Sequence, residues 1–247
     1  NQNPASYLHF VSDFLSGSKR YMDKDHQPYA TMLYYNLYQE RIDKTELKEI
    51  GMYQALALLH DDRYRYFKQE ASEIVSYLLS HLEVTTIPLG SEVLPGIELY
   101  GCYTREEIFT LVGRQTEERR MSGSVSGAFN LPEYDATLLF VTLNKSDKDF
   151  SPSTQYDDYV INKDYFHWQS KNTDSHHNRG GRIYTEQPQR HNKIVLFVRE
   201  EKKDGFGNTC PFHCFGLVDY VSSHGDFPMN ITWKLEKPVM PRYLKVV

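Results

Sequence analysis

The 247-residue sequence predicts an α+β protein: an N-terminal helical bundle followed by a small, mostly antiparallel β barrel or sandwich with a few short helices. Three observations predict it. Up to about residue 85 the apolar residues recur at three- and four-residue spacing, the period of an amphipathic helix. A stretch dense in Pro and Gly then interrupts the pattern. Beyond it come short apolar or alternating runs divided by Gly, Pro, Asn and Asp, the signature of strands and turns. The boundary is placed at 90/91, giving a helical bundle over 1–90 and a β-rich domain over 91–247.

"ASYLHFVSDFLSGS" reads as a first helix that stops at Gly17. "PYATMLYYNLYQERI" starts a second at Pro28, a residue suited to a first helical turn. "KTELKEIGMYQALALLHD" and "YRYFKQEASEIVSYLLSHL" read as a third and a fourth. "TTIPLGSEVLPGIEL" reads as a linker or a boundary. In "YTREEIFTLVG", Thr104 and Glu107 form a capping box, so a helix is expected over Arg105–Val112, closed by Gly113. "GAFNLPEYDATLLFVTL", "NKIVLFVRE", "FHCFGLVDYVSSHG" and "MNITWKLE" are the strand candidates. Ser124–Gly127 and Ser175–Gly181 are the expected mobile loops.

Hydrophobic residues make up 40% and aromatic residues 14%, enough for a core. Net charge is −5, which excludes a blanket basic surface but leaves room for a local one. Three cysteines, Cys102, Cys210 and Cys214, do not make a disulfide scaffold and suit a reducing cytoplasm. No apolar run approaches the roughly 18 residues of a membrane helix. No signal peptide is visible. The chain begins at Asn1 without an initiator Met, and is expected to be a piece of a longer protein.

Sequence offers little conventional chemistry. "CPFHC" with His176 and His177 upstream lacks the second ligand pair of a structural zinc site, so no metal and no cofactor are expected. No nucleophile elbow, P-loop, dinucleotide fingerprint or zincin motif occurs. "DGFG" follows a charged run and reads as a hairpin turn. Asp157 and Asp158 could hold a divalent ion in a nuclease, or sit on solvated surface. Most informative is Lys163–Lys203, with nine Lys or Arg, five Asp or Glu and four His. Tyr165, Phe166, Trp168 and Tyr184 are interleaved with them. Cations track phosphates and aromatic faces stack bases, although the same composition suits a solvated basic face around a core Trp.

From about Tyr103 the order of "YTREEI", "LFVTLNKSDKDFSPSTQYDDYVIN", "FHWQS", "GRIY", "IVLFVRE", "KKDGFG", "GLVDYVSSHGDFPMNITWKLE" and "MPRYL" resembles a bacterial family. It is the domain of unknown function at the C-terminus of DEAD/DEAH-box helicase-like proteins, which often also carry a phospholipase-D-like nuclease domain. That resemblance implies helicase and nuclease domains of the same polypeptide as partners, DNA as the ligand, and restriction or phage defence as the setting. It casts this chain as the target selector, with no catalysis of its own. A second resemblance, at the level of fold, is to PUA-like pseudobarrels that read DNA and modified bases.

The expected rim comprises Tyr156–Ser170 and the loop Ser175–Tyr184. Its DNA-binding candidates are Tyr165, His167, Trp168, Gln169, Ser170, Lys171, Arg179, Arg182 and Tyr184. Arg179 and Arg182 would meet phosphates of duplex DNA. Gly180 and Gly181 would let backbone approach the ligand. Gln169 and Ser170 would read base edges, and Trp168 would line a pocket or sit in the core. Two other readings compete: a protein-interaction module regulating the helicase, marked by a large apolar patch on residues 1–85, and a metal-dependent nuclease using Asp157 and Asp158.

Overall fold

The computed structural model describes residues 4–82, 84–121, 127–145 and 157–244. The chain forms two compact units, Asn1–Gly123 and Ser124–Val247.

The first unit carries α1 (Ala5–Leu15), α2 (Gln27–Tyr38), α3 (Gly51–Ala57), α4 (Arg65–Ser80), β1 (Ile87–Pro88), β2 (Glu98–Leu99), β3 (Cys102–Tyr103) and α5 (Arg105–Leu111). Gly17 follows α1 at φ 95°, as a stop signal should. The third helix is shorter than expected because Gly51, at φ 77°, breaks the run, and residues 45–50 form turns. The capping box is complete: Thr104 Oγ1 accepts the Glu107 N–H at 3.2 Å, and the Glu107 carboxylate accepts the Thr104 N–H at 2.7 Å.

The Pro- and Gly-rich stretch is not a linker. Ile87–Pro88 pairs antiparallel with Glu98–Leu99. The Ala5 and Ser6 N–H groups donate to the Glu98 carboxylate. Tyr35 donates its hydroxyl to Thr116 O, and Ile42 N–H to Glu117 O. These ties hold residues 86–120 to the helices, and the units divide at 123/124 instead of 90/91.

The second unit carries β4 (Ala128–Leu131), β5 (Ala136–Thr142), β6 (Tyr159–Asn162), β7 (Tyr165–Gln169), α6 (Arg179–Thr185), α7 (Gln187–Arg190), β8 (Lys193–Arg199), β9 (Phe212–His224) and β10 (Asn230–Leu235). The strands run in the order β4-β5-β8-β9-β10-β7-β6. β5 and β8 are parallel and the other neighbours antiparallel, so the sheet is mixed. Parallel pairing needs a crossover, and β6, β7, α6 and α7 supply it.

β9 serves two half-sheets. Residues 213–217 pair with β8 and 218–224 with β10. The register slips where Gly216, at φ 80°, admits an extra residue, a bulge that lets a long strand bend. Asp204 builds the expected hairpin turn, its carboxylate accepting the Phe206 and Asn208 N–H groups.

"CPFHC" enters the core instead of a metal site. Phe212, His213 and Cys214 are buried in β9, and among the described residues no three His, Cys, Asp or Glu side chains are placed to share a metal. Burial pushes the Cys214 thiol up to about 12, and burial, then Arg242, pushes His213 down to about 4. His213 therefore stays neutral in the folded chain while the unfolded chain titrates near 6.5. The sign follows from linkage: its contribution is intact above 6.5 and is lost as pH falls towards 4. The expected result is a loss of about 3 kcal/mol across that window by urea titration, much reduced in His213→Asn.

Candidate nucleic-acid interface

β7 splits the predicted residues between two faces. Phe166 and Trp168 point into the unit's core, and Tyr165, His167 and Gln169 point away from it, as strand alternation requires. Trp168 packs edge-on to Tyr184 at 4.9 Å and against Trp233 at 6.4 Å. Tyr184 is also buried, which raises its hydroxyl pKa. Ser170 has 0% exposure; its Oγ accepts the Met229 N–H at 3.0 Å. Of the predicted residues, His167, Trp168, Ser170 and Tyr184 are thus buried, His167 on the face of β7 opposite Trp168.

Gln169 is half-buried but occupied. Its Oε1 accepts the Asp157 N–H at 2.7 Å and its Nε2 donates to Asn230 Oδ1 at 2.9 Å. His167 donates Nδ1–H to Asp157 O at 2.8 Å and stacks on Tyr159 at 4.6 Å. Asp158 is buried, with Oδ1 accepting the Gln169 N–H and Oδ2 on Lys145 Nζ at 2.7 Å. Both oxygens are engaged, so Asp157 and Asp158 do not converge on an open ion site. Tyr156 lies outside the described residues, as do residues 124–126 of the expected Ser124–Gly127 loop.

The expected Ser175–Tyr184 loop is in large part helix. Asn178 caps α6, its Oδ1 accepting the Gly181 N–H at 3.0 Å and the Ser175 N–H at 3.2 Å. The two glycines face protein, not ligand. A Cβ on Gly180 would stand 2.4 Å from Asp174 Oδ1; one on Gly181 would stand 2.1 Å from Ser175 O and 2.5 Å from Met229 Sδ. A methionine tip can move, but a backbone carbonyl cannot. Gly181→Ala is expected to destabilise the second unit by about 1–3 kcal/mol in urea denaturation.

The stretch 170–178 is fastened to the β9–β10 turn. Ser170 N–H donates to Met229 O and Phe227 N–H to Asp174 O. His176 donates its backbone N–H to Asp226 Oδ1 at 2.8 Å and contacts the same oxygen through Nδ1 at 2.9 Å. Those contacts, the backbone one first, hold the Asp226 carboxyl below its usual range. Phe227 stands at the tip of the turn, 60% exposed, with φ 61°. A bulky side chain at positive φ is uncommon, and such residues concentrate at functional sites. Sequence reading missed Phe227; "HGDFP", dense in turn residues, is the signal that could have found it.

The cations sort themselves around this rim. Lys171 is half-buried; His177 and Arg179 are exposed. Arg182 is exposed but pairs with Glu186, as does Arg190. Arg199 is buried, donating to Thr142 and Cys210 O, and Lys193 donates to Tyr134 O. Of the predicted residues, the structure gathers Gln169, Ser170, Lys171 and Arg179 at this end of β7. Tyr165 starts the strand, about 13 Å away at 3.3 Å per residue.

The fold and site define a mixed α+β chain whose sheet-rich unit bears a hydrogen-bonded rim that carries Lys171, Arg179 and the exposed Phe227. Residues 97–245, more than half of the chain, match the domain of unknown function DUF3427, and the chain belongs to that family. Comparison with curated proteins finds no match. Among solved structures, Arabidopsis thaliana SUVH6, crystallised in complex with SAM, is similar at a TM-score of 0.38 and 13% identity. That alignment covers 98% of this chain and 41% of the SUVH6 chain. No helix among the described residues is long and apolar enough to cross a membrane.

Proposed function

We propose that the chain is the DNA-target recognition module of a helicase- and nuclease-bearing restriction or phage-defence protein, gripping duplex DNA through the 170–182 and 224–229 rim. The observation that carries this reading is Phe227, held out to solvent on a turn fastened to the segment that bears Lys171, His177 and Arg179. Cations there would meet phosphates, and an exposed ring can stack on a base or wedge a base step. The mixed sheet bent at β9 suits the PUA-like pseudobarrel that the sequence resembles, and a modified base is the candidate target. Gln169, Ser170 and Trp168 act as supports, and Phe227 is the reader at the surface.

Fluorescence anisotropy with labelled duplexes tests it. Phe227→Ala is expected to weaken binding by about 1–3 kcal/mol, the worth of one stacked base. Arg179→Ala is expected to weaken all duplexes alike and to lower the salt slope by about 1. Wild-type affinity in both variants would contradict the assignment.

A second reading has its own support. α4 buries Val75 but leaves Tyr66 65%, Ile74 60% and Tyr77 60% exposed, with Phe67 beside them. Such an apolar face suits a protein partner, in line with a module that regulates the helicase. A changed ATP turnover in full-length Ile74→Lys, with DNA affinity intact, would favour it.

A further inference from the structure

Beside Phe227, at the rim itself, four side chains to which the DNA reading assigns no contact form a hydrogen-bonded chain. Asp226 Oδ1 lies 2.9 Å from His176 Nδ1, His176 Nε2 lies 2.7 Å from Ser223 Oγ, and Ser223 Oγ lies 2.7 Å from Tyr220 OH. The direction of these bonds follows from chemistry. An ionised Asp226 can only accept, so the ring proton sits on Nδ1. With the ring neutral, Nε2 then holds a lone pair, and Ser223 must donate its proton to it. Tyr220 in turn donates to Ser223 Oγ. The backbone N–H of His176, on the same Asp226 oxygen at 2.8 Å, fixes the carboxylate as orienter.

We propose that Ser223, His176 and Asp226 form a nucleophile, base and orienter for hydrolysis of carboxylic esters, with Tyr220 as the oxyanion donor. Such a constellation is recognised by geometry and not by chain order, which is why no motif announced it. The site is open: the His176 and Asp226 side chains are 33% and 35% exposed, and Ser223 is half-buried. Ser223 Oγ attacks the ester carbon as its proton passes to His176 Nε2, and the carbonyl π pair moves onto oxygen. Tyr220, released from Oγ, donates to that oxyanion. Collapse expels the alcohol, which takes the proton from Nε2 and leaves acyl-Ser223. Water attacks the acyl carbon, its proton passing through Nε2 back to Oγ as the carboxylic acid departs.

The test uses the full chain, a biotinylated fluorophosphonate and p-nitrophenyl acetate. The fluorophosphonate should form one Oγ–P bond at Ser223, with loss of fluoride, located by peptide mass spectrometry and absent from neighbouring Ser222. Urea-unfolded chain should not label. His176→Ala should slow labelling and ester turnover about 10²-fold or more. Tyr220→Phe should slow turnover while preserving the fold by circular dichroism. No adduct at Ser223 of the folded wild type would overturn the proposal, as would an adduct whose rate His176→Ala leaves unchanged. In either case the four side chains act as a clamp on the turn and nothing more.

Discussion

Trp168→Ala is expected to destabilise the second unit by about 3–5 kcal/mol, the range for removing a buried Trp from a packed core. The ring lies between Tyr184 and Trp233 in a cluster that Tyr220 completes. Removing it leaves a void that the mixed sheet on one side and α6 on the other cannot close without moving. Trp168→Phe should retain much of the stability, because an aromatic of nearly sufficient size remains. Urea denaturation read by near-ultraviolet circular dichroism measures both. Any loss of DNA affinity in Trp168→Ala should track the unfolded fraction. A variant that folds with wild-type stability and yet fails to bind DNA would show instead that Trp168 touches the ligand.

Lys145→Ala should cost a similar 3–5 kcal/mol. The side chains of Lys145 and Asp158 are 7% and 3% exposed, and their contact is 2.7 Å. Burial pushes the Asp158 carboxyl up, and Lys145 is the main opposing influence. Removing the cation strands a carboxylate away from water, which is far worse than never having built the pair. The partner substitution separates the two effects. Asp158→Asn with Lys145→Met removes both charges and should recover most of the stability lost by Lys145→Ala alone. The Asp158 oxygen that accepts the Gln169 N–H anchors the end of β7, so the single variant should also loosen the rim.

What was legible in the sequence followed local rules. The helix capped by Thr104 and Glu107, the stop at Gly17 and the strand runs at 193–199 and 230–235 each depend on residues a few positions apart. What was not legible depended on distant partners. Glu98 holds the first turn of α1 from 92 and 93 residues away, and this pulls an apparent linker into the helical unit. The parallel pairing of β5 with β8 is invisible to alternation, which is the same in either orientation. At the site, polarity was a poor guide. Gln169 and Ser170 looked like readers because they are polar, but their bonds go to Asp157, Asn230 and Met229. Gly180 and Gly181 looked like a ligand cradle, but the space they leave is filled by Asp174 and Ser175. Phe227 carried no polarity to draw notice, and only the fold shows that the turn holds it outward.

Whether this rim grips duplex DNA through phosphates is read from the salt dependence of wild-type affinity. Anisotropy titrations of one labelled duplex across a series of salt concentrations give log K against log salt. A straight fall is expected, with a slope near −0.9 for each phosphate neutralised, about −2 for Lys171 and Arg179 together. No binding at low salt, or binding that salt does not weaken, would contradict it and turn attention to the exposed face of α4.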